Sequence, residues 1–215
     1  MYTADKFTEN GFDVRIVIDE DDNGPREWTH GCELTLSQRR YDLPNDADID
    51  FDDFDGWQEM ADYLKAEEGA LLVLPVWGYE HGQLALKAGD RTGQFGDRWD
   101  SGLAGLAYVT PQNWKDTQGT EWAGDDNDLD IAARLIADDV DVYTQYLTGD
   151  VYGYIITDPV DGEEIDSLWS LYGLDYAIEE AKEAAQAAEH EPKCTGTLNH
   201  KTGDIEHTGT CPLHS

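Results

Sequence analysis

Positive charge is what this sequence most lacks. Lysine and arginine together number 14 against 47 aspartates and glutamates in 215 residues, a formal charge of −33 before histidines are counted. A surface of that sign repels nucleic acid and anionic lipid heads, so direct binding to DNA, RNA or a membrane surface is not expected. Long apolar runs are missing as well, and none approaches the roughly 20 residues that span a bilayer. Met1 to Asn10 carries neither a basic stretch nor an apolar one, which predicts no secretion signal and a protein that stays where it is made. There is no phosphate-cradling GxxxxGKS/T, no HExxH, no GxSxG and no dinucleotide GxGxxG. The six histidines do not fall beside a nucleophile in a recognised pattern, so nothing in the sequence demands an enzyme.

Core-building material, by contrast, is plentiful. Apolar residues make up 40% of the chain, with seven Trp and eleven Tyr, too much for a disordered polymer. The length suits one domain with an appendage. We place the main domain at Met1 to Glu191 and a tail at Pro192 to Ser215. In Phe12 to Glu20, Val14, Ile16 and Ile18 alternate with Asp13, Arg15, Val17 and Asp19, as in a strand with one buried face. Glu33 to Ser37 alternates again, so a hairpin or meander opens the fold. Asp55 stands as an N-cap before Trp57, Met60, Ala61 and Leu64 at helical spacing, and Gly69 ends that helix. Ala70 to Trp77 reads as a strand buried on both faces, with Pro75 marking an edge position or a bulge. Gln83 to Lys87 and Leu103 to Val109 are further strands.

The clearest helix runs from about Leu129 to Leu147, with Ala132, Ile136, Val140, Tyr143 and Leu147 in one stripe and Gly149 as terminator. Asp150 to Thr157 and Ile165 to Tyr172 form a hairpin, and an Ala- and Glu-rich helix follows over Asp175 to Glu189. Strands and helices without a βαβ rhythm predict an α+β fold, mainly antiparallel, with two or three helices and a small C-terminal β-hairpin.

In the tail, a two-residue turn at Thr202-Gly203 sets Leu198 opposite His207 and Cys194 opposite Cys211, on the face where side chains approach closest. Three chemistries fit: a cross-strand disulfide, a zinc site built from Cys194, Cys211 and His214 with a fourth ligand, or a reduced hairpin. Reducing cytosol argues against the first, and the C-x16-C-x2-H spacing matches no standard finger. The reduced hairpin, with no cofactor, is the reading adopted, and Cys32 is expected to be a buried free thiol.

Two acidic segments invite chemistry. Asp19 to Gly24 begins like a calcium loop, but His30 occupies the position where a bidentate Glu is needed, so it reads as an Asx-rich turn. In Asp46 to Asp55, an extended backbone would put Asp46, Asp48, Asp50 and Asp52 on one face at roughly 6.6 Å spacing. With Asp53 and Asp55 nearby, such a row imitates a phosphate backbone for a basic cleft. The plain alternative is a solvated loop pinned by Ile49, Phe51 and Phe54.

A third region places glycines and Asp-Ser pairs around tryptophans: Asp97, then Trp99-Asp100-Ser101-Gly102, and later Gly162 to Trp169, which contains Asp166-Ser167. The order WDSG–xxGxxY, then YxxYLTGDVYGY, then GEEIDSxW–xxYG resembles a family of uncharacterised proteins of tailed phages and some archaeal viruses, over roughly Leu84 to Ala188. Ser170 stands where the pattern has Gly. The resemblance implies a viral origin and expression in the host cytoplasm, and it lends no catalytic residue. Asp97, Trp99, Asp100, Ser101, Asp166, Ser167 and Trp169 are the pocket candidates, with turn-capping and core-filling as their plain alternative.

Three functions follow from these readings. One is a non-enzymatic phage accessory protein that binds a host protein with a basic surface, in its sharpest form an acidic nucleic-acid mimic directed at a defence or transcription factor. Another is a pocket for a small molecule or metal, with hydrolytic chemistry as an extension. The last is a halotolerant protein whose acidity serves only solubility.

Overall fold

The computed structural model describes residues 2–20, 23–27, 30–89 and 101–188, and the backbone of two short strands, Thr195–Leu198 and Ile205–Thr208. The fold is α+β with two four-stranded antiparallel sheets.

The first sheet starts with a strand that periodicity does not announce. β1 (Thr3–Glu9) turns at Asn10-Gly11, both with positive φ (48° and 82°), into β2 (Phe12–Ile18). Asn-Gly is the dipeptide that a tight primed turn selects. The opening hairpin is therefore β1–β2. The expected pairing of Phe12–Glu20 with Glu33–Ser37 does not occur, because β3 (Glu33–Leu36) belongs to the other sheet. β7 (Val151–Thr157) and β8 (Glu164–Tyr172) complete the order β1-β2-β7-β8. Helix α4 (Leu174–Ala187) packs on one face. Its Ala177, Ala181 and Ala185, spaced by four, are fully buried against Phe12, Val14, Ile16, Tyr154 and Ile156. Methyl side chains there let the helix lie close to a sheet face made of large residues.

The second sheet has the order β3-β6-β4-β5, with β6 at Ser101–Val109, β4 at Leu72–Glu80 and β5 at Leu84–Ala88. Both faces are covered. Helix α3 (Asp126–Thr148) lays Ala132, Ile136, Val140 and Tyr143 on one side, against Leu34, Val76, Leu86 and Ala107. Helix α1 (Trp57–Glu67) lays Met60, Ala61 and Leu64 on the other, against Val73, Leu106 and Tyr108.

Several local expectations are corrected. Of the two positions expected for Pro75, the edge is excluded, since β4 lies between β6 and β5, and the bulge agrees with the register shift beside it. The β4–β5 ladder begins only at Val76↔Ala88, so the missing proline donor falls beyond its end. There the Pro75 carbonyl accepts from Gly89 N–H at 2.8 Å, and the β6 register shifts directly after Val76. The α1 N-cap is Gly56 (φ 127°), not Asp55, and the Glu59 carboxylate accepts from the Asp55 N–H at 2.7 Å. The described residues contain four helices rather than two or three. The additional one, α2 (Pro111–Gln118), is capped by a reciprocal Thr110–Asn113 box with Pro111 in its first turn.

In the C-terminal hairpin, β9 (Thr195–Leu198) pairs Leu198 with Ile205 of β10 (Ile205–Thr208), not with His207. The register is offset by two from the one a turn at Thr202-Gly203 dictates. Cys194, Cys211 and His214 lie outside the described residues, and Cys32 is a buried free thiol.

Candidate functional site

The chain passes from the first sheet to the second through the segment between β2 and β3, and polar side chains gather there. A 3-10 turn at Pro25–Glu27 presents Arg26. Its Nη1 donates to the Cys32 carbonyl at 2.9 Å, and its Nη2 lies 2.6 Å from Asp46 Oδ2 and 3.5 Å from Glu33 Oε2. Asp46 Oδ2 also accepts from Leu34 N–H at 2.6 Å. Asn113 Nδ2 of α2 donates to Glu33 Oε1 at 2.9 Å, and His30 Nε2 lies 3.3 Å from Glu33 Oε2. From α3, Asp139 Oδ2 accepts the Cys32 N–H at 2.9 Å. One polar network thus ties the crossing segment, β3, α2 and α3 together.

Charge is distributed unevenly in this network. Burial alone would raise the Glu33 carboxyl, but the Asn113 N–H and the charges of His30 and Arg26 outweigh it and hold Glu33 below its usual range. Asp46 moves the other way: burial outweighs the Leu34 N–H and Arg26, and its carboxyl is raised. The two share Arg26 and titrate as a pair, with Asp46 taking the first proton. The Cys32 thiol is pushed well up by burial and then by the Asp139 carboxylate, which makes it a packing residue rather than a nucleophile.

One donor of the network is left over. Arg26 Nε is buried and has no hydrogen-bond partner among the described residues. Arg26 and His30 line a cavity of 370 Å³ whose apolar wall is Pro25, Val142, Leu168 and Trp169. Asp139, Ser170 and Tyr172 also line it.

The strand β8 is shaped around Trp169. Its pairing with β7 shifts register between Tyr152 and Tyr154, and Gly153 sits in the gap. A Cβ on Gly153 would lie 2.5 Å from Trp169 Cε3 and 2.8 Å from Cδ2, so the indole occupies the space that the glycine leaves. Ser170 then takes φ +59°, the left-handed conformation that glycine adopts freely, and its N–H donates to Asp19 Oδ2 at 3.0 Å. The side chain so positioned is still 37% exposed.

Of the pocket candidates among the described residues, Trp169 alone lines this cavity. Asp166 Oδ2 accepts from the Tyr154 hydroxyl at 3.0 Å, and the Tyr154 ring packs in the core under α4. Ser167 Oγ donates to Glu164 Oε1 at 2.8 Å. Ser101 opens β6 in the other sheet and lines a separate concavity with Arg40 and Glu80. The structure therefore does not gather Ser101, Asp166, Ser167 and Trp169 into one site. Asp97, Trp99 and Asp100 lie outside the described residues. Among the described residues no group of three or more His, Cys, Asp or Glu side chains is arranged to hold a metal.

The carboxylate row does not form as an extended strand. Asp46 is drawn into the Arg26 pair, and Asp48 has φ +49°. Asp50 caps a 3-10 turn, Phe51–Asp53, by accepting the Asp52 N–H at 3.0 Å. Aspartate's short side chain competes for its own backbone donors, and this breaks the regular alternation. What results is a bend with Asp48, Asp50, Asp52, Asp53 and Asp55 exposed around the start of α1.

Arg26, Asn113 and Asp139 were not singled out from sequence, and His30 was noted only as the residue that rules out a calcium loop. The only local signal was a solitary arginine in a run of acids, directly after Gly24-Pro25. The chain matches no family model, no curated protein and no solved structure.

Proposed function

We propose that this chain is a non-enzymatic binding protein whose partner is a protein with a basic surface. In its sharpest form it is a carboxylate decoy that occupies the nucleic-acid site of a host defence or transcription factor, in the host cytoplasm during viral infection. The observation that carries the reading is uncompensated charge. Fourteen cations face 47 carboxylates, so at least 33 carboxylates have no cation of their own. Arg26 is moreover committed to two acids inside the polar network.

Exposed acids stand on all three longer helices: Glu59 and Asp62 on α1, Asp130 and Asp138 on α3, Glu179 and Glu183 on α4. The densest group is the bend of Asp48 to Asp55 leading into α1. Such a field accelerates encounter with a basic partner and weakens as salt screens it. No pair of groups in the polar network combines an activated nucleophile with a base, since Cys32 is fully buried with its thiol pushed up.

The test is capture of partners from host lysate with the tagged chain, at low and moderate salt, beside an acidic control protein of equal charge. Retention of a nucleic-acid-binding protein by this chain alone, reversed by added DNA, is the expected result. Equal retention by the control refutes the reading.

A further inference from the structure

We propose that the cavity at Trp169 binds a small, planar, uncharged heteroaromatic molecule that presents a hydrogen-bond acceptor to Arg26. This site is separate from the acidic bend and does not depend on the decoy reading.

Four observations converge on that class of ligand. The first is the construction of the wall. Gly153 leaves the space that Trp169 fills, the β7–β8 register shifts beside it, and Ser170 takes a left-handed conformation directly after it. Strands use such irregularities to re-aim a side chain, and a non-glycine residue with positive φ at a cavity wall marks a position held against local preference. The side chain served by these departures is not sealed into the core, because Trp169 is 37% exposed and lines open space.

The second observation is the chemistry of the lining. Trp169 and Tyr172 supply aromatic surface, and Pro25, Val142 and Leu168 supply apolar surface. A flat ring gains most from such walls by stacking.

The third is the donor in the wall. Arg26 lines the cavity with its side chain 18% exposed. A guanidinium has five N–H groups, and Arg26 directs three of them to Cys32, Asp46 and Glu33, so a ring nitrogen or carbonyl in the cavity can accept from the exposed part of the fork.

The fourth is charge. An anion must approach through the field of a chain of net charge −33. Arg26 offers it little, because Asp46 and Glu33 already balance the guanidinium. A cation offers the Arg26 guanidinium no acceptor, and the Asp139 carboxylate in the wall already accepts from the Cys32 N–H. A neutral ligand avoids both costs. The volume of 370 Å³ lies within the range of small-molecule sites and accommodates one or two fused rings with a substituent.

The experiment uses the full chain with caffeine, nicotinamide and adenine as neutral planar probes. Benzoate serves as an anionic planar control and cyclohexanone as a neutral non-planar one. Binding is read by saturation-transfer NMR and by tryptophan fluorescence titration. We expect at least one neutral ring to saturate with Kd below about 1 mM, and both controls to bind at least about tenfold more weakly. Trp169→Leu should weaken the best probe by about tenfold or more, whereas Tyr176→Ala, which alters an exposed aromatic on α4, should leave it unchanged. Val142→Phe fills the cavity from α3 and should abolish binding in the same way, so the test holds even if Trp169→Leu misfolds. The proposal is overturned if no neutral ring saturates, if benzoate binds as tightly as the neutral rings, or if a folded cavity variant binds like the parent.

Discussion

Two glycines of β6, three residues apart, should respond oppositely to the same added methyl group. Gly105 has φ +148° and is flanked on both sides, by Leu36 of β3 and Val76 of β4. A Cβ there would run into the Thr35 carbonyl oxygen and would lie 2.8 Å from Leu36 Cα and 3.0 Å from the Thr35 carbonyl carbon. All three are backbone atoms, so no rotamer change relieves the contact. Overpacking of this kind costs about 1–3 kcal/mol, and a backbone region essentially reserved for glycine adds about 1–3 kcal/mol. Gly105→Ala should therefore lose about 2–6 kcal/mol. At about 2–4 °C per kcal/mol for a chain of this size, that is a fall in Tm of about 4–24 °C. Gly102 is exposed, has no positive φ, and a Cβ on it would meet nothing within 4 Å. Gly102→Ala should be neutral or should stabilise by about 0.4–1 kcal/mol, through the narrower unfolded ensemble. Thermal and urea unfolding followed by circular dichroism measure both. If Gly105→Ala melts within about 2 °C of the parent, β3 does not pack on β6 as described, and the placement of Glu33 beside Arg26 fails with it.

Arg26→Ala leaves two partly buried carboxylates without their cation and should cost about 2–3 kcal/mol at neutral pH, less than a fully buried pair because both acids retain some solvent contact; the measurement is the urea midpoint. Its cost should shrink as pH falls, because Asp46, with its raised carboxyl, takes a proton first. On the alkaline side, burial and then Asp166 push Tyr154 up to about 12, and burial and then Tyr146 push Tyr143 up to about 12. A group whose folded pKa is raised stabilises fully below its unfolded value and loses that contribution as pH climbs to the folded one. Stability should thus decline from about pH 10 to pH 12, with these phenols ionising late in an ultraviolet titration of the tyrosines. Added sodium chloride should raise Tm by several degrees, since screening relieves the self-repulsion of a chain at −33; a flat salt profile would mean that the acids are too dispersed to repel one another.

Legibility from sequence followed how locally each element was encoded. α3 was readable because its buried Ala132, Ile136, Val140 and Tyr143 recur at helical spacing and Gly149 ends it in the left-handed region. β7 and β8 were readable as apolar runs around a turn. β1 was not, since as an edge strand it is almost wholly exposed and carries no apolar face. Its one signal was the Asn10-Gly11 turn, which had to be weighed above periodicity. α2 buries only Asn113 and Trp114, so its pattern is too sparse to register, although Thr110, Pro111 and Gly119 mark both of its ends. The Arg26 network was hidden for a different reason. It joins residues as far apart as Cys32 and Asp139, 107 positions along the chain, and this proximity arises from the crossing between two sheets. Trp169 stood out by its context, yet Ser101 belongs to β6 of the other sheet and the Asp166 carboxylate is taken by the Tyr154 hydroxyl.

The abundance of aspartate divides into two populations, and the decoy reading depends on only one of them. Asp50 and Asp125 cap helical turns, Asp128 is buried and accepts from Ala123 and Gly124 N–H, and Asp158 and Asp161 accept from Val160 and Glu163 N–H. Asp19 and Asp139 hold backbone donors of Ser170 and Cys32. These residues are aspartate because a short carboxylate reaches a nearby N–H, which explains much of the bias without any partner. Asp52, Asp53 and Asp55 have exposed side chains beside α1, as do Asp175, Glu179 and Glu183 on α4. Neutralising either trio to Asn and Gln removes three charges and should change stability by no more than about 0.5 kcal/mol per site. If acidity serves solubility alone, the trios are interchangeable, and both variants should precipitate at the same higher pH. If the bend before α1 is the recognition surface, its trio should weaken partner capture by about tenfold or more while the α4 trio leaves it within about twofold, and the difference should vanish as salt approaches about 0.5 M. Equal losses from the two trios would mean that the partner responds to total charge, and no local surface could then be credited with recognition.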